Sequence, residues 1–141
     1  MAVTKIWPVR DSLQRVLDYA ATPQKTALAG DGLARALHYA GNDAKTRLAA
    51  DMGGEQVLLV TGLHCRAGQA WADMRAVQRR FGKTGGTVAL HAYQSFRPGE
   101  VTPRQCHDIG VELARRVWGS RFQVLVATHQ NTNCLHNHFV I

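Results

Sequence analysis

The sequence predicts an α+β fold in which a mainly antiparallel sheet carries helices packed on one face. Segments rich in β-forming residues alternate with amphipathic segments of helical spacing. Some strand segments follow one another closely enough to form hairpins, which pairs them antiparallel. A chain of 141 residues suffices for one core of ordinary size and is too short for two. We therefore expect a single domain over residues 1–141.

The first predicted elements are a strand and a helix. "VTKIWPV" at 3–9 is typical of a short β segment, and Pro8 confines it to a sheet edge or ends it. From Asp11 onward, apolar residues recur at helical spacing behind an Asp-Ser N-cap signal. Because proline breaks a helix interior, Pro23 predicts the end of this helix.

The segment that begins at Asp11 is repeated once. "DGLARALHYAGNDAKT" at 31–46 matches "DSLQRVLDYAATPQKT" with an offset of twenty residues, and the shared residues include a tyrosine, a lysine and a threonine. Two copies are too few for a solenoid. We therefore expect paired helices, each ending in a polar turn.

Two further helices and four strands complete the predicted fold. Thr102 as N-cap, Pro103 and Gln105 predict the start of a helix that runs to Gly119. The other predicted helix is amphipathic, covers 68–82 and has Gly82 as its C-cap. The predicted strands cover 55–63, 86–96, 122–129 and 135–141.

Composition narrows the class of protein and of partner. The apolar runs are shorter than the roughly 20 residues of a membrane span, and the N-terminus lacks the apolar core of a secretory signal. Three widely spaced cysteines favour reduced thiols in the cytoplasm. The net charge of +7 favours a polyanionic partner, with nucleic acid the first candidate.

Three histidines lie in the last predicted hairpin, at His129, His136 and His138. Residues two apart on a strand share a face, and an antiparallel return brings His129 opposite the other two. Three imidazoles can hold a divalent transition ion and leave open positions for a phosphate oxygen. A closed structural zinc site that uses Cys134 is the alternative.

An open metal site beside a basic surface suits phosphodiester chemistry. Tyr19, near the end of the first predicted helix, is the candidate nucleophile. Attack by a tyrosine keeps the phosphate bond energy in a covalent protein–DNA link, which makes the cut reversible.

Three segments, "LDYAATPQKT", "HAYQSFRPGE" and "THQNTNCLHNHFVI", resemble motifs I, II and III of the MOB-P class of conjugative and mobilisation relaxases, the HUH-type tyrosine endonucleases of mobile elements. The resemblance covers essentially the whole chain. It implies a relaxase-like palm fold and strand-specific nicking at an origin of transfer. Relaxases of this class are larger proteins, so we expect this chain to be their N-terminal nuclease part, truncated just after motif III.

The resemblance also implies roles for individual residues. Tyr19 takes the 5′-phosphate of the nicked strand, and His91 orients the phenol or a phosphate. Glu100 polarises a neighbour or anchors its turn. The three histidines of the last hairpin hold manganese or magnesium, and nickel or zinc in purified protein. Asn131 stands where some relatives have an acidic residue.

The repeat gives a second candidate nucleophile, Tyr39, because it has the same local context as Tyr19. His38 beside it is the candidate activator. The position shortly after the first strand favours Tyr19.

The partners implied by the resemblance are single-stranded DNA at an origin of transfer, accessory transfer proteins and a coupling protein. Basic side chains are expected to meet DNA phosphates: Lys25, Lys45, Arg75, Arg79, Arg80 and Lys83.

Two other classes of function remain open at this stage. A nucleic-acid-binding module with a structural metal needs neither tyrosine and unfolds when the metal is removed. A metallohydrolase that uses a metal-bound hydroxide turns over without a covalent adduct.

Overall fold

The computed structural model describes residues 2–26, 58–83 and 85–141, which contain a five-stranded antiparallel sheet. The strands are β1 (Val3–Val9), β2 (Val60–Leu63), β3 (Ala89–Ser95), β4 (Val124–His129) and β5 (His136–Val140). Their order across the sheet is β1, β3, β5, β4, β2. Each neighbouring pair is antiparallel, which confirms the predicted α+β class with a mainly antiparallel sheet.

Four helices accompany the sheet in the described residues. They are α1 (Leu13–Ala20), α2 (Pro23–Thr26), α3 (Ala70–Arg80) and α4 (Pro103–Val117), and a 3₁₀ turn at Ala67–Gln69 precedes α3. The Ser12 side chain accepts a hydrogen bond from the Arg15 backbone N–H and caps α1. Thr102 and Gln105 form the predicted capping box of α4.

Pro23 does not end α1 by breaking it, as the sequence predicted, but begins a second helix. Helix α1 ends at Ala20, and Pro23 is the first residue of the separate short helix α2. Proline suits a first helical position because its missing N–H has no intrahelical partner there. The predicted second helix over 31–46, with Tyr39 and His38, lies outside the described residues, as does the start of the predicted strand 55–63.

Pro8 lies in the edge strand β1, opposite Leu90, as predicted for a residue that lacks an N–H to donate. All of β1 except Val9 is exposed.

None of the helices in the described residues combines the length and the apolar character needed to cross a bilayer.

The helices cover both faces of the sheet, and the predicted single covered face is wrong. Leu13 and Leu17 of α1 pack with Leu125 and Val140 on one face. The other face presents a second cluster, made by Val111 of α4 with residues that alternate with the first set along the strands, among them Val126 and Phe139. The central strands β4 and β5 are therefore buried on both sides.

Helix α4 approaches the sheet most closely at Gly110. A Cβ atom placed there would lie 2.4 Å from Nδ2 of Asn137, whose side chain is fully buried. Asn137 lies in β5 between His136 and His138 and faces α4. The glycine therefore sets the depth at which the helix packs beneath this strand.

We expect Gly110→Ala to destabilise the protein by about 2 kcal/mol because the methyl group overpacks the helix–sheet contact. An alanine in a helix interior otherwise stabilises by about 1 kcal/mol relative to glycine. A decrease in the free energy of unfolding would therefore show that the added methyl group clashes with Asn137. Urea unfolding followed by circular dichroism measures it. Arg104→Ala, an exposed change on the same helix, is the control, and a more stable Gly110→Ala protein would contradict the packing described.

Candidate active site

The β4–β5 pairing brings the three histidines of the last hairpin together. His129 lies directly opposite His136, and His138 lies on the same face two residues further along β5. One ligand-type nitrogen from each imidazole lies within 4.8 Å of the other two. We call this group the histidine cluster.

The cluster is buried, and burial keeps its inner imidazoles neutral. His129 is 1% exposed and His138 is 6% exposed. Desolvation, followed by the positive charges of neighbouring groups, lowers the pKa of His138 to about 2. Desolvation also dominates at His129, where it lowers the pKa to about 4. Both rings therefore carry a free lone pair at neutral pH.

Hydrogen bonds to backbone carbonyls fix which nitrogen is free in His129 and His136. His129 Nε2 lies 2.8 Å from the Ala20 carbonyl oxygen, and His136 Nδ1 lies 2.9 Å from the Cys134 carbonyl oxygen. Since a carbonyl oxygen only accepts, these nitrogens carry the protons. The lone pairs of His129 Nδ1 and His136 Nε2 are thereby left available for a ligand.

His138 completes the same pattern through a third imidazole. Its Nδ1 lies 2.8 Å from Nε2 of His91, and its Nε2 is a buried nitrogen without a hydrogen-bond partner in the described residues. An unsatisfied buried polar atom is unfavourable unless something else fills its place. The donor set of three imidazole nitrogens suits a divalent ion, so the residues present fit a metal.

Tyr19 lies at the end of α1 beside this cluster. Its ring centroid is 5.4 Å from that of His138 and 5.6 Å from that of His129, with the rings edge-on. The side chain is 47% exposed, so the phenol is both next to the histidines and open to solvent. The hydrogen bond from His129 to the carbonyl of Ala20 holds the end of this helix against β4.

Two contacts at this site were not predicted from the sequence, although Lys25 was expected to meet a DNA phosphate. The Lys25 ammonium lies 3.8 Å from the centroid of the Tyr19 ring, and the Trp7 ring lies 4.6 Å from that of His91. Trp7 reaches His91 because the β1–β3 register pairs them. Only the pairing partner of β1, which the sequence does not give, would have revealed this contact.

The remaining predicted residues lie elsewhere. Glu100 is exposed in the turn after β3, where its carboxylate accepts a hydrogen bond from the Arg97 backbone N–H. The Cys134 thiol is not part of the cluster, although the carbonyl of this residue orients His136. Asn131 is exposed in the β4–β5 connection.

The predicted DNA-contacting cations of α3 and its C-terminal turn are mostly exposed. Arg79, Arg80 and Lys83 face solvent, whereas Arg75 is half-buried and donates to Gln78. Lys45 lies outside the described residues.

A buried polar network lies beneath the cluster, on the α4 face of the sheet. His107 of α4 lies within 2.8 Å of the hydroxyls of Thr61 and Thr128 through its two ring nitrogens. The Thr128 hydroxyl donates to Asn137, and the Asn137 amide donates to Gln94 and to the carbonyl of Cys106. These bonds tie β2, β3, β4 and β5 to α4 directly behind the histidine cluster.

Comparison with known protein families assigns the chain to the relaxase nuclease domains. Residues 39–141 match the family model described as "Relaxase: MobA/VirD2-like, nuclease domain". This match covers most of the chain, so the chain belongs to that family. It includes the two strands that carry the histidine cluster.

Relatives with relaxase names support the same assignment. Protein rlx of Staphylococcus aureus is 42% identical over 79 residues, which is 56% of this chain and 24% of that protein. The group II intron-interrupted relaxase LtrB of Lactococcus lactis subsp. cremoris (strain MG1363) is 32% identical over 59 residues, which is 41% of this chain and 10% of that protein. The chain spans about a quarter or less of the length of these curated relatives. No solved structure matches it significantly.

The buried His107 makes the stability of the fold depend on pH. Burial, partly offset by Asp108, lowers its pKa from 6.5 to about 4. Between these values the unfolded chain binds a proton that the folded chain does not, so stability falls as the pH drops from about 6.5 to about 4. In chelator, we expect His107→Gln to flatten this dependence by up to about 3 kcal/mol.

Urea unfolding between pH 7 and pH 4 measures this effect. The buried His129 and His138 add the same pH dependence to the unaltered protein and to His107→Gln, so the difference between the two proteins reports His107. Arg104→Gln on the exposed side of α4 is the control and keeps the wild-type dependence. If the free energy of unfolding of His107→Gln depended on pH as in the unaltered protein, a buried and neutral His107 imidazole would be contradicted.

Proposed function

We propose that this chain nicks one DNA strand at an origin of transfer by tyrosine transesterification, with Tyr19 as the nucleophile. The observation that supports this most directly is the position of the Tyr19 ring against His129 and His138, whose free nitrogens converge on one point. Membership of the relaxase nuclease family supplies the class of reaction. The product is a single strand attached through a 5′-phosphotyrosine link, ready for conjugative transfer or mobilisation.

The metal ligands in this proposal are His129, His136 and His138, and the ion in use is manganese or magnesium. Imidazole ligands also take nickel or zinc from a buffer. The bound ion supplies positive charge that stabilises the non-bridging oxygens of the scissile phosphate. The cluster contains three ligands from the described residues and no cysteine, which supports an open site over a closed structural one.

The reaction balances without any redox partner. The Tyr19 oxygen forms a bond to phosphorus as the bond from phosphorus to the 3′-oxygen breaks. The phenolic proton leaves the tyrosine, and the departing 3′-oxygen gains one proton. One phosphoester replaces another, so the step runs in reverse when a 3′-hydroxyl returns.

His91 has a positioning role in this proposal. Its Nε2 lies 2.8 Å from Nδ1 of His138, and in the proposed site it accepts the Nδ1 proton, which keeps the other nitrogen of His138 free for the ion. His91 also lies against the Tyr19 ring, with 6.4 Å between the ring centroids. The same imidazole therefore contacts the proposed nucleophile and a proposed ligand.

The DNA partner is single-stranded DNA at an origin of transfer, supported by the net charge of +7 and by the family. Accessory transfer proteins and a coupling protein are further proposed partners. The relatives carry relaxase in their names or are called rlx, and the chain covers only a part of each. Activities of a complete relaxase beyond nicking are therefore not assigned to this chain.

Metal binding tests the ligand set. We expect His129→Ala, His136→Ala and His138→Ala each to weaken Mn²⁺ binding strongly in titration calorimetry. His91→Ala should weaken it by about tenfold because His138 loses the partner that fixes its tautomer. Cys134→Ser should bind like the unaltered protein, and loss of binding in that variant would instead favour a closed structural site.

A covalent-adduct assay tests the chemistry. Labelled single-stranded oligonucleotides that tile both strands beside the chain's own gene are incubated with the protein and Mn²⁺ or with chelator, then resolved on denaturing gels. We expect a metal-dependent shifted band that Tyr19→Phe abolishes, because phenylalanine lacks the attacking oxygen. Tyr39→Phe is the matched control and should retain the band.

The other outcomes of this assay separate the alternatives. A band lost in Tyr39→Phe and kept in Tyr19→Phe would make Tyr39 the nucleophile. Cleavage without an adduct would indicate a metallohydrolase. Binding without cleavage, together with unfolding in chelator, would indicate a binding module with a structural metal.

A further inference from the structure

The two repeated segments share a tyrosine followed six positions later by Lys-Thr, as Tyr19, Lys25 and Thr26 in one copy and Tyr39, Lys45 and Thr46 in the other. The structure shows what this spacing does in the first copy. Helix α2 folds back so that the Lys25 ammonium lies 3.8 Å from the centroid of the Tyr19 ring.

Helix α2 is fixed to the same strand that carries His129. Thr26 is fully buried, and its carbonyl accepts hydrogen bonds from the Leu59 backbone N–H at 2.9 Å and from the Gln130 side chain at 3.0 Å. The carbonyl of Lys25 accepts a third from the Gln130 backbone N–H at 2.7 Å. These bonds hold the base of the Lys25 side chain next to the end of β4.

No carboxylate among the described residues compensates the charge of Lys25. In the part of the chain that the structure describes, its ammonium pairs with no carboxylate, and the side chain is half-buried. The groups it faces are the Tyr19 ring and the histidine cluster, whose His129 and His138 both feel its positive field. The described residues therefore supply this cation with no counter-ion, and a phosphate of bound DNA is an anion of the right chemistry.

We propose that Lys25 is a catalytic residue whose ammonium binds a non-bridging oxygen of the scissile phosphate and stabilises the negative charge that develops on the Tyr19 oxygen. This inference rests on the proposed function, in which Tyr19 forms its bond to phosphorus as the bond to the 3′-oxygen breaks. Lys25 gains and loses no proton in the step. Its charge acts on the transition state, so it accelerates cleavage and religation equally.

A purely structural role predicts different behaviour. If Lys25 only packed on the ring, its apolar stem would supply most of the contact, and methionine would replace it with little loss. Lys25→Met therefore removes the charge and keeps a flexible apolar chain of similar length. Lys25→Arg restores a cation, and Arg104→Met, which removes an exposed positive charge from α4, is the matched control.

The experiment uses the full chain, Mn²⁺ and the tile that gives the covalent adduct with the unaltered protein, at saturating concentrations in single-turnover conditions. We expect Lys25→Met to form the adduct about 100-fold more slowly, and Lys25→Arg to stay within about tenfold of the unaltered rate. Religation of the adduct with an oligonucleotide bearing a 3′-hydroxyl should slow by the same factor. Arg104→Met should leave both rates unchanged, and the melting temperature and Mn²⁺ affinity of every variant should match the unaltered protein.

Three results would overturn the proposal. The first is an unaltered adduct rate in Lys25→Met, and the second is a rate loss in Arg104→Met as large as that in Lys25→Met. The third is a slow Lys25→Met protein whose rate loss follows a lower melting temperature or weaker Mn²⁺ binding and is not relieved by arginine. A wild-type chain that forms no adduct on any tile would reject the proposed function and this inference with it, whereas an adduct unaffected at Lys25 rejects the inference alone.

Discussion

The register between β4 and β5 is the constraint on which the rest of the site depends. A shift of one residue would turn every side chain of β5 to the opposite face, which would send His136 and His138 toward α4 and bring Asn137 to the cluster. Asn137 opposes this slip because its amide is bonded to Gln94 and to the carbonyl of Cys106, partners that exist only on the α4 face. The lack of a side chain at Gly110 leaves the space that the amide occupies.

The same hairpin couples the chemistry of the histidines to the rest of the chain. Backbone carbonyls of Ala20 and Cys134 accept hydrogen bonds from His129 and His136, and His91 Nε2 lies 2.8 Å from His138 Nδ1. The bond to Ala20 is also the one that places the end of α1, and with it Tyr19, against β4. The interaction that selects the free nitrogen of one proposed ligand therefore positions the proposed nucleophile as well.

Local signals predicted local features, such as the capping box at Thr102, the edge position of Pro8 and the H-x6-H-x-H spacing that brings the three histidines onto one face. The sequence analysis predicted helices on one face of the sheet only. The structure shows that all six residues of β4 are buried, as is typical of strands that are covered on both faces. Lys25 was expected only to meet a phosphate. Its place above Tyr19 depends on α2 starting at Pro23 and on hydrogen bonds to Leu59 and Gln130, distant residues that sequence spacing cannot bring together.

The charges at the site explain how neutral ligands and a lysine can work together. Imidazole ligands do not offset the charge of the proposed divalent ion, and in the described residues neither the cluster nor Lys25 is paired with a carboxylate. The positive charge of the site is therefore left for the substrate, where the phosphate and the developing phenolate are the anions that can use it. A carboxylate ligand would hold an ion by cancelling part of that charge. The imidazole set instead relies on preorganisation, because backbone carbonyls already hold His129 and His136 in the tautomer and orientation that the proposed binding requires.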